Sequence, residues 1–249
     1  MKAMILAAGL GTRLKPLTDT RPKALVELSG RTLLEITINR LQTFGVTELI
    51  INVHHFADQV IAYLKSHNNF GLRIEISRED DLLLDTGGGL KKAAWFFLED
   101  SNCLDEPFLL HNVDVISTID LRAMLQFHTD NQALATLAVQ SRDSSRQLFF
   151  NDQNELCGRR AGRDREPEIV RPSDHLQPQA FSGIHILSSR LLPLLTEEGI
   201  FSIIPSYLRL SAHGQKILAF RADQYYWRDL GRPSDLAQAA LEFQQNVFP

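Results

Sequence analysis

The side chains and backbone groups best suited to binding phosphate are concentrated at the start of the chain. A short apolar run at residues 3–8 is followed by Gly9 and Gly11 and then by basic residues. Residues 1–25 hold five basic side chains against a single acidic one, Asp19, in a chain whose formal net charge is -4. The basic residues are Lys2, Arg13, Lys15, Arg21 and Lys23. Glycine N–H groups together with these cations could hold a polyphosphate.

Two well-known phosphate-binding loops do not fit this segment. The stretch "GLGTRL" contains G-x-G, but Leu14 stands where the dinucleotide fingerprint needs a third small residue. Pro16 and Pro22 follow, so no helix can start directly from the loop. The Walker A pattern G-x-x-x-x-G-K-[ST] is also absent. The residues alone therefore leave two interpretations open: a tight turn shaped by Gly9 and Gly11, or a stiff basic loop that binds a polyphosphate.

Composition and charge restrict the class of protein. The chain has 249 residues, 44% hydrophobic and 22% charged, as in an ordinary globular protein. Its net negative charge argues against nucleic-acid binding. The N-terminal apolar stretch is too short for a signal peptide and no apolar run reaches about 18 residues, so we expect no membrane segment and a cytoplasmic enzyme. Cys103 and Cys157 indicate neither a disulfide framework nor a metal motif.

The elements that must position the basic loop follow an α/β rhythm. Apolar runs predict strands in the first half of the chain, at residues 3–8, 48–54, 72–77, 106–115 and 133–140. Amphipathic stretches between them predict helices at residues 32–45, 57–67, 87–100 and 120–131, the last capped by Asp120. This alternation predicts a mixed, mostly parallel sheet with helices on both faces.

The pattern changes after residue 145. We expect a hairpin around Asp152–Asn154, a solvated loop over residues 158–175, and strands in the segment 216–231 that return to the main sheet. A stretch beginning at Ser189 should be helical up to Pro193, and a closing helix should be capped by Ser234. No repeat or linker interrupts the sequence, which predicts one domain spanning residues 1–249.

The opening motif resembles the signature of the sugar-1-phosphate nucleotidyltransferases. "LAAGLGTRLKPLT" followed by "PKALVELSG" matches the family pattern L-A-A-G-x-G-T-R-[LM]-x-P-L-T…P-K-P-[LM], with Ala24 in place of the second proline. The resemblance continues through "TGGGL", "HNVDV", "FSGIHI" and "WRDLGRPSDL", and so covers the whole chain. It implies a Rossmann-like fold of the GT-A nucleotide-diphospho-sugar transferase type. The front half would bind nucleotide, and residues 140–230, roughly, would contribute to sugar binding.

This resemblance implies roles for particular residues. The nucleotide would be bound by Leu6, Ala7, Ala8, Gly9, Gly11, Thr12, Arg13, Gly87 and Gly88. Arg13 would neutralise the leaving pyrophosphate, and Lys23 would meet the α-phosphate or the sugar phosphate. Asn112, Gly183 and Arg171 would contact the sugar phosphate substrate.

The implied reaction joins a sugar 1-phosphate to a nucleoside triphosphate and releases pyrophosphate. The attacking phosphate is already ionised at neutral pH, so positioning and charge neutralisation matter more than a general base. Asp114 and Asp229 are the expected Mg²⁺ ligands, at the carboxyl ends of strands. The sequence departs from the family pattern at two positions near these aspartates: Val113 replaces a glycine and Arg232 replaces a threonine.

The sequence motifs indicate the type of reaction more narrowly than the identity of the sugar and the nucleotide. Within the family, "DTGGGL" with "FSGI" and a short C-terminal part is most similar to the N-acetylmuramate α-1-phosphate uridylyltransferases of cell-wall recycling, which favours UTP. Mannose- or heptose-1-phosphate guanylyltransferases remain an alternative. A catalytically degenerate nucleotide-sugar binding or regulatory subunit is an alternative of another class. The protein would be a monomer or a homodimer.

Overall fold

The structure is a computed structural model, and it describes residues 1–99 and 105–244. Cys103 lies outside these ranges, so only the expectation for Cys157 can be followed: it is a free, buried thiol. Across the described ranges, helices long and apolar enough to cross a membrane are absent.

The strands, numbered in chain order, are β1 Lys2–Leu6, β2 Glu27–Leu28, β3 Arg31–Thr32, β4 Glu48–Val53, β5 Arg73–Arg78, β6 Pro107–Asn112, β7 Val115–Ser117, β8 Ala135–Gln140, β9 Gln147–Phe150, β10 Leu156–Arg160, β11 Glu168–Ile169, β12 Gln177–Ser188, β13 Ile217–Arg221 and β14 Trp227–Asp229. The α-helices are α1 Leu33–Thr43, α2 Ala57–Ser66, α3 Asp85–Lys92, α4 Ala94–Leu98, α5 Leu121–Asp130, α6 Ile203–Ala212 and α7 Pro233–Gln244. Short 3₁₀ turns lie at Thr12–Leu14, Lys23–Leu25, Asn68–Gly71 and Ser189–Leu194.

The main sheet has the order β11-β10-β9-β12-β6-β1-β4-β5, and β8 pairs with both β12 and β13. The strands β6, β1, β4 and β5 run parallel, whereas β12 is antiparallel to β6, β8 and β9. This confirms the expected α/β class: a mixed sheet, parallel in the half formed by β6, β1, β4 and β5 and flanked by helices. The carboxyl ends of β1, β4 and β6 therefore meet at one edge.

The two faces of the sheet carry separate apolar cores. In β1, Met4 joins one core, while Ala3 and Ile5 join the other, as expected for a strand buried on both sides. Helices α3, α4 and α6 cover the Met4 face, and α1, α2 and α5 cover the opposite face. A third cluster packs α7 against α1 and the hairpin of β2 and β3.

Several local expectations are confirmed. The Asp120 carboxylate accepts hydrogen bonds from the N–H groups of Arg122 (2.9 Å) and Ala123 (3.1 Å), so it caps α5. The hairpin around residues 152–154 joins β9 and β10 in antiparallel pairing.

Other expectations were wrong in detail. Helix α3 begins at Asp85, so the three glycines lie inside it, and it ends at Lys92 before α4 starts. The carbonyl of Phe201 accepts from Gly87 N–H at 2.9 Å and so provides the partner that a capping side chain would give.

The second half also departs from expectation. β13 joins the main sheet, but β14 pairs with β7 in a separate two-stranded ladder. Pro193 lies inside a 3₁₀ turn, and α7 starts at Pro233, which places Ser234 in the first turn. Proline suits that first position because its missing N–H would have no helical partner there. The loop 158–175 is mostly exposed but contains the end of β10 and the short strand β11.

Candidate active site

A cavity of about 360 Å³ opens at the carboxyl ends of β1, β4 and β6. Its lining comprises Leu6, Ala7, Ala8, Gly9, Lys23, Asn52, Leu83, Asp85, Thr86, Asn112, Val113, Asp114 and Ile200. The position agrees with the general rule that open α/β sheets bind ligands beyond the carboxyl ends of their strands. The structure thus brings both halves of the expected site, the opening loop and the end of β6, to one cavity.

A buried hydrogen-bond chain holds the wall formed by the end of β1. Ala7 N–H donates to Asn52 Oδ1 at 2.8 Å, and Asn52 Nδ2 donates to Glu79 Oε1 at 2.7 Å. The other oxygen of Glu79 accepts from Leu84 N–H at 2.8 Å. A Cβ on Gly89 would lie 2.9 Å from both Asn52 and Glu79, so this network requires a glycine there. Sequence reasoning missed Asn52 and Glu79, although a polar residue inside the apolar run of β4 was a visible signal.

The glycines of the opening loop have different structural reasons. Gly11 has a φ of +64°, and a Cβ on it would lie 2.9 Å from Thr18 Cγ2 and 3.1 Å from Lys23 Cβ. Its carbonyl accepts from the Thr18 hydroxyl at 2.9 Å and from Leu14 N–H at 2.8 Å. Gly9 lines the cavity, and a Cβ on it would meet nothing within 4 Å. The protein itself thus requires glycine at position 11, whereas at position 9 the space is open to a ligand.

Lys23 and the two expected metal ligands form one cluster. The ammonium group of Lys23 contacts Asp114 Oδ2, and the two side chains are only 11% and 15% exposed. Leu230 N–H donates to the carbonyl of Asp114 at 2.7 Å, which ties the segment after β14 to the end of β6. Burial raises the pKa of Asp229, and the charge of Asp114 raises it further.

Arg13 reaches the same cluster from the opening loop. Its Nη2 lies 4.0 Å from Asp229 Oδ1, and both side chains are partly exposed. The same oxygen of Asp229 accepts from Gly231 N–H at 2.6 Å. A Cβ on Gly231 would lie 2.5 Å from both Arg13 Nη2 and Asp229 Oδ1, so a side chain at this position would displace these two groups. Sequence reasoning did not single out Gly231.

The Val113 departure is accommodated without strain. Val113 is buried, its N–H donates to the carbonyl of Leu6 at 3.1 Å, and its φ is not in the left-handed range. Gly183 has a φ of +73° in a bulge of β12, and a Cβ on it would lie 2.8 Å from Asn112 Nδ2. Asn112 and Gly183 are therefore neighbours, with Asn112 on the cavity wall.

Eight expected residues do not line the cavity: Gly11, Thr12, Arg13, Gly87, Gly88, Arg171, Gly183 and Asp229. Three of them, Gly87, Gly88 and Arg171, are engaged elsewhere in the fold. A Cβ on Gly87 would meet the Phe201 ring at 2.3 Å and one on Gly88 the carbonyl of Gly199 at 2.4 Å, so both pack against that loop. Their neighbours Asp85 and Thr86 line the cavity instead. Arg171 pairs with Glu155 at 2.7 Å and donates to the carbonyls of Ser211 and Gln215. Its guanidinium thus joins α6 to the β-hairpin rather than facing the cavity.

The carboxylates suit a hard divalent cation with an incomplete protein shell. Groups of three or more His, Cys, Asp or Glu side chains that could hold a metal are absent from residues 1–99 and 105–244. Asp114 and Asp229 supply oxygen donors, and water and substrate phosphates complete such a shell in many phosphoryl-transfer sites. The donor set therefore fits an ion that is shared between protein and substrate.

Comparisons with known proteins agree with this geometry. The sequence model for the nucleotidyl transferase family matches residues 2–148. N-acetylmuramate alpha-1-phosphate uridylyltransferase of Caulobacter vibrioides is 33% identical over 93% of this chain and 92% of its own length. Mannose-1-phosphate guanyltransferase of Aspergillus fumigatus is 31% identical over 94% of this chain, which spans only 62% of that relative.

A solved structure supports the fold. HddC from Yersinia pseudotuberculosis, complexed with GMP-PN, superimposes with a TM-score of 0.73, covering 97% of this chain and 99% of that one at 22% identity. Identity this low bears on the fold alone.

Proposed function

This chain belongs to the nucleotidyl transferase family and is a sugar-1-phosphate nucleotidyltransferase, and from that premise we propose that it transfers a uridylyl group from UTP to N-acetylmuramate α-1-phosphate. The observation that carries the proposal is the charge cluster at the mouth of the cavity. Lys23, Asp114, Asp229 and Arg13 converge beside the wall formed by Leu6–Gly9. A site of this composition can hold two anionic substrates and a cation together.

The catalytic task is to bring two polyanions into line. A phosphate oxygen of the sugar 1-phosphate attacks the α-phosphorus of the triphosphate, a new P–O–P bridge forms, and the bond to the β-phosphate oxygen breaks. The attacking oxygen is already ionised because the second pKa of a phosphate monoester is about 6. The residues therefore contribute by positioning and by electrostatic stabilisation.

Each charged residue has a place in this proposal. Lys23 lies beside the carboxylates at the cavity wall, where it can contact the α-phosphate or the attacking phosphate. Arg13 lies on the outer, more exposed side of Asp229, where released pyrophosphate can reach solvent. The wall formed by Leu6–Gly9 and the open space at Gly9 suit the base and ribose. Gly11 and Thr12 shape the loop around the outer phosphates.

We assign Asp114 and Asp229 to Mg²⁺. When bound, the ion supplies positive charge that offsets the repulsion between the phosphates. Lys23 neutralises Asp114, while burial and, after it, the charge of Asp114 raise the pKa of Asp229. Asn112 and Gly183 are proposed to contact the sugar, within a single domain whose residues 140–230 contribute the sugar half of the site.

UTP and N-acetylmuramate are proposed because a relative that is 33% identical to this chain, over 92% of its own length, bears that name. Guanylyl transfer to a mannose or heptose 1-phosphate is the second candidate, favoured by the 31% identity to a mannose-1-phosphate guanyltransferase. Retention of Arg13, Lys23, Asp114 and Asp229 argues against a purely regulatory subunit, which needs no such charge set. We propose action in the cytoplasm, by a monomer or homodimer.

The test is a panel assay of pyrophosphate release. The protein is incubated with Mg²⁺, each nucleoside triphosphate and a set of sugar 1-phosphates, with Asp114→Asn as the matched control. We expect release with UTP and N-acetylmuramate 1-phosphate, and a loss of about 100-fold or more in the variant. Release only with GTP would replace the uridylyl assignment by the second candidate, and release with no pair would contradict transfer altogether.

A further inference from the structure

An arginine at the start of the loop between β8 and β9 is half-buried without an ionic partner. The Arg142 guanidinium carbon lies 3.7 Å from the centroid of the Trp227 ring, and its Nη2 donates to the carbonyl of Phe181 at 2.7 Å. Its Nε is buried and has no hydrogen-bond partner. The partly buried Arg171 and Arg228, by contrast, pair with glutamates, and the described residues offer Arg142 no such carboxylate.

The stacking directs Arg142 toward the catalytic cluster. Side chains two apart on a strand share a face, so Trp227 and Asp229 point to the same side of β14. Arg228, between them, points the other way and binds Glu242 of α7 at 2.5 Å. A guanidinium stacked on Trp227 therefore lies on the Asp229 side. Burial lowers the pKa of Arg142, and the charge of Asp229 opposes that effect, as the arrangement requires.

The same contacts join Arg142 to the proposed sugar half of the site. Trp227 Nε1 donates to the carbonyl of Ser182 at 2.7 Å, while Arg142 donates to the preceding residue, Phe181. The next residue is Gly183, which lies against Asn112 on the cavity wall. Arg142 and Trp227 thus hold the bulge of β12 next to Gly183 and Asn112, the two residues that we assign to the sugar.

From these contacts we infer that Arg142 binds an anionic group of the sugar substrate, either its phosphate or a sugar carboxylate. A half-buried cation that pairs with no carboxylate within salt-bridge distance is stabilised by an incoming anion. The guanidinium, held over an indole ring, keeps its charge in place for a carboxylate or phosphate oxygen. The inference rests on the proposed function, because it names the substrate group that this part of the site recognises.

The two sources of the anion have different consequences. Every sugar 1-phosphate carries the phosphate, whereas N-acetylmuramate adds a lactyl carboxylate that N-acetylglucosamine lacks. If the carboxylate is the partner, Arg142 selects acidic sugars over neutral ones. If the phosphate is the partner, Arg142 acts on all sugar 1-phosphates alike and takes the place that we expected for Arg171.

The experiment compares Arg142→Gln, Arg142→Lys and the control Arg146→Gln, an exposed arginine of the same loop. Steady-state kinetics are measured with UTP and with N-acetylmuramate 1-phosphate or N-acetylglucosamine 1-phosphate. We expect Arg142→Gln to raise the KM for the sugar 1-phosphate about 10- to 100-fold and leave the KM for UTP within about twofold. Arg142→Lys should recover part of the loss, and Arg146→Gln should match the parent protein.

The arms separate the two sources. A loss confined to the muramate substrate identifies the carboxylate, and an equal loss with both identifies the phosphate. A merely structural role predicts that the KM for UTP and the KM for the sugar 1-phosphate change equally and that the melting temperature falls. That result, or no change in either KM, would overturn the inference. Equilibrium binding of UDP-N-acetylmuramate provides a readout without turnover. If the parent protein proves inactive, the proposed function fails. Weaker binding of UDP-N-acetylmuramate to Arg142→Gln than to the parent protein still supports the inference, whereas equal binding to the two proteins, or no binding to either, contradicts it.

Discussion

Breaking the pair of Lys23 and Asp114 should have an asymmetric effect on stability. Lys23→Met leaves Asp114 facing Asp229 with its contacting cation removed, whereas Asp114→Asn leaves Lys23 beside Asp229 and removes the repulsion between the carboxylates. Removing one partner of a buried ion pair costs about 3–5 kcal/mol. The side chains are 11% and 15% exposed and border an open cavity, so we expect the lower end, about 3 kcal/mol, for Lys23→Met.

The measurement is urea unfolding of both single variants and the double variant without substrates or Mg²⁺. Asp114→Asn should cost about 1 kcal/mol, and the double variant should cost less than the sum, with a coupling of about 2 kcal/mol. Additive effects within about 0.5 kcal/mol, or a larger loss for Asp114→Asn than for Lys23→Met, would refute the proposed electrostatic arrangement.

Three further predictions concern other parts of the structure. Gly9→Ala should leave the melting temperature unchanged or slightly higher but raise the KM for the nucleotide, whereas Gly11→Ala, at a φ of +64°, should lose about 2 kcal/mol of unfolding free energy in urea. Burial lowers the pKa of His128 to about 4, below its unfolded value, so its contribution to stability is complete above about pH 6.5 and is lost as the pH falls toward 4. Between about pH 7 and about pH 5, the free energy of unfolding in urea should fall by about 2 kcal/mol more in the parent protein than in His128→Gln. An equal fall in the two proteins would contradict the buried, neutral state of His128. Arg171→Gln should lower the melting temperature through the loss of its bond to Glu155 while both KM values stay within about twofold; a selective rise in the sugar 1-phosphate KM would return Arg171 to the substrate site.

The sequence was sufficient to predict the α/β class and the convergence of the charged residues. Alternating apolar runs and amphipathic stretches place the ends of β1 and β6 at one edge, because parallel strands joined by helices share a direction. Lys23 and Asp114 are 91 residues apart, so no local periodicity could predict that they cluster. Only the motifs in which they stand indicated that both belong to one site.

The remaining features depended on tertiary contacts that no local pattern encodes. Gly87 and Gly88 pack against the loop at Gly199 and Phe201, and that contact draws them into α3 and away from the cavity. The pairing of β14 with β7 is equally non-local. Asn52 carried a weak signal as a polar residue in an apolar strand, but its bond to Glu79 could be recognised only from the fold.

The most direct test of the central claim follows the phosphorus atoms of the triphosphate. The protein is given Mg²⁺, N-acetylmuramate 1-phosphate and UTP radiolabelled at either the α- or the γ-phosphorus, and the products are separated. In-line attack at the α-phosphorus predicts that the α-label appears in the sugar nucleotide and the γ-label in pyrophosphate. Recovery of the α-label in free UMP or UDP, or of the γ-label in inorganic phosphate, would contradict nucleotidyl transfer to the sugar phosphate.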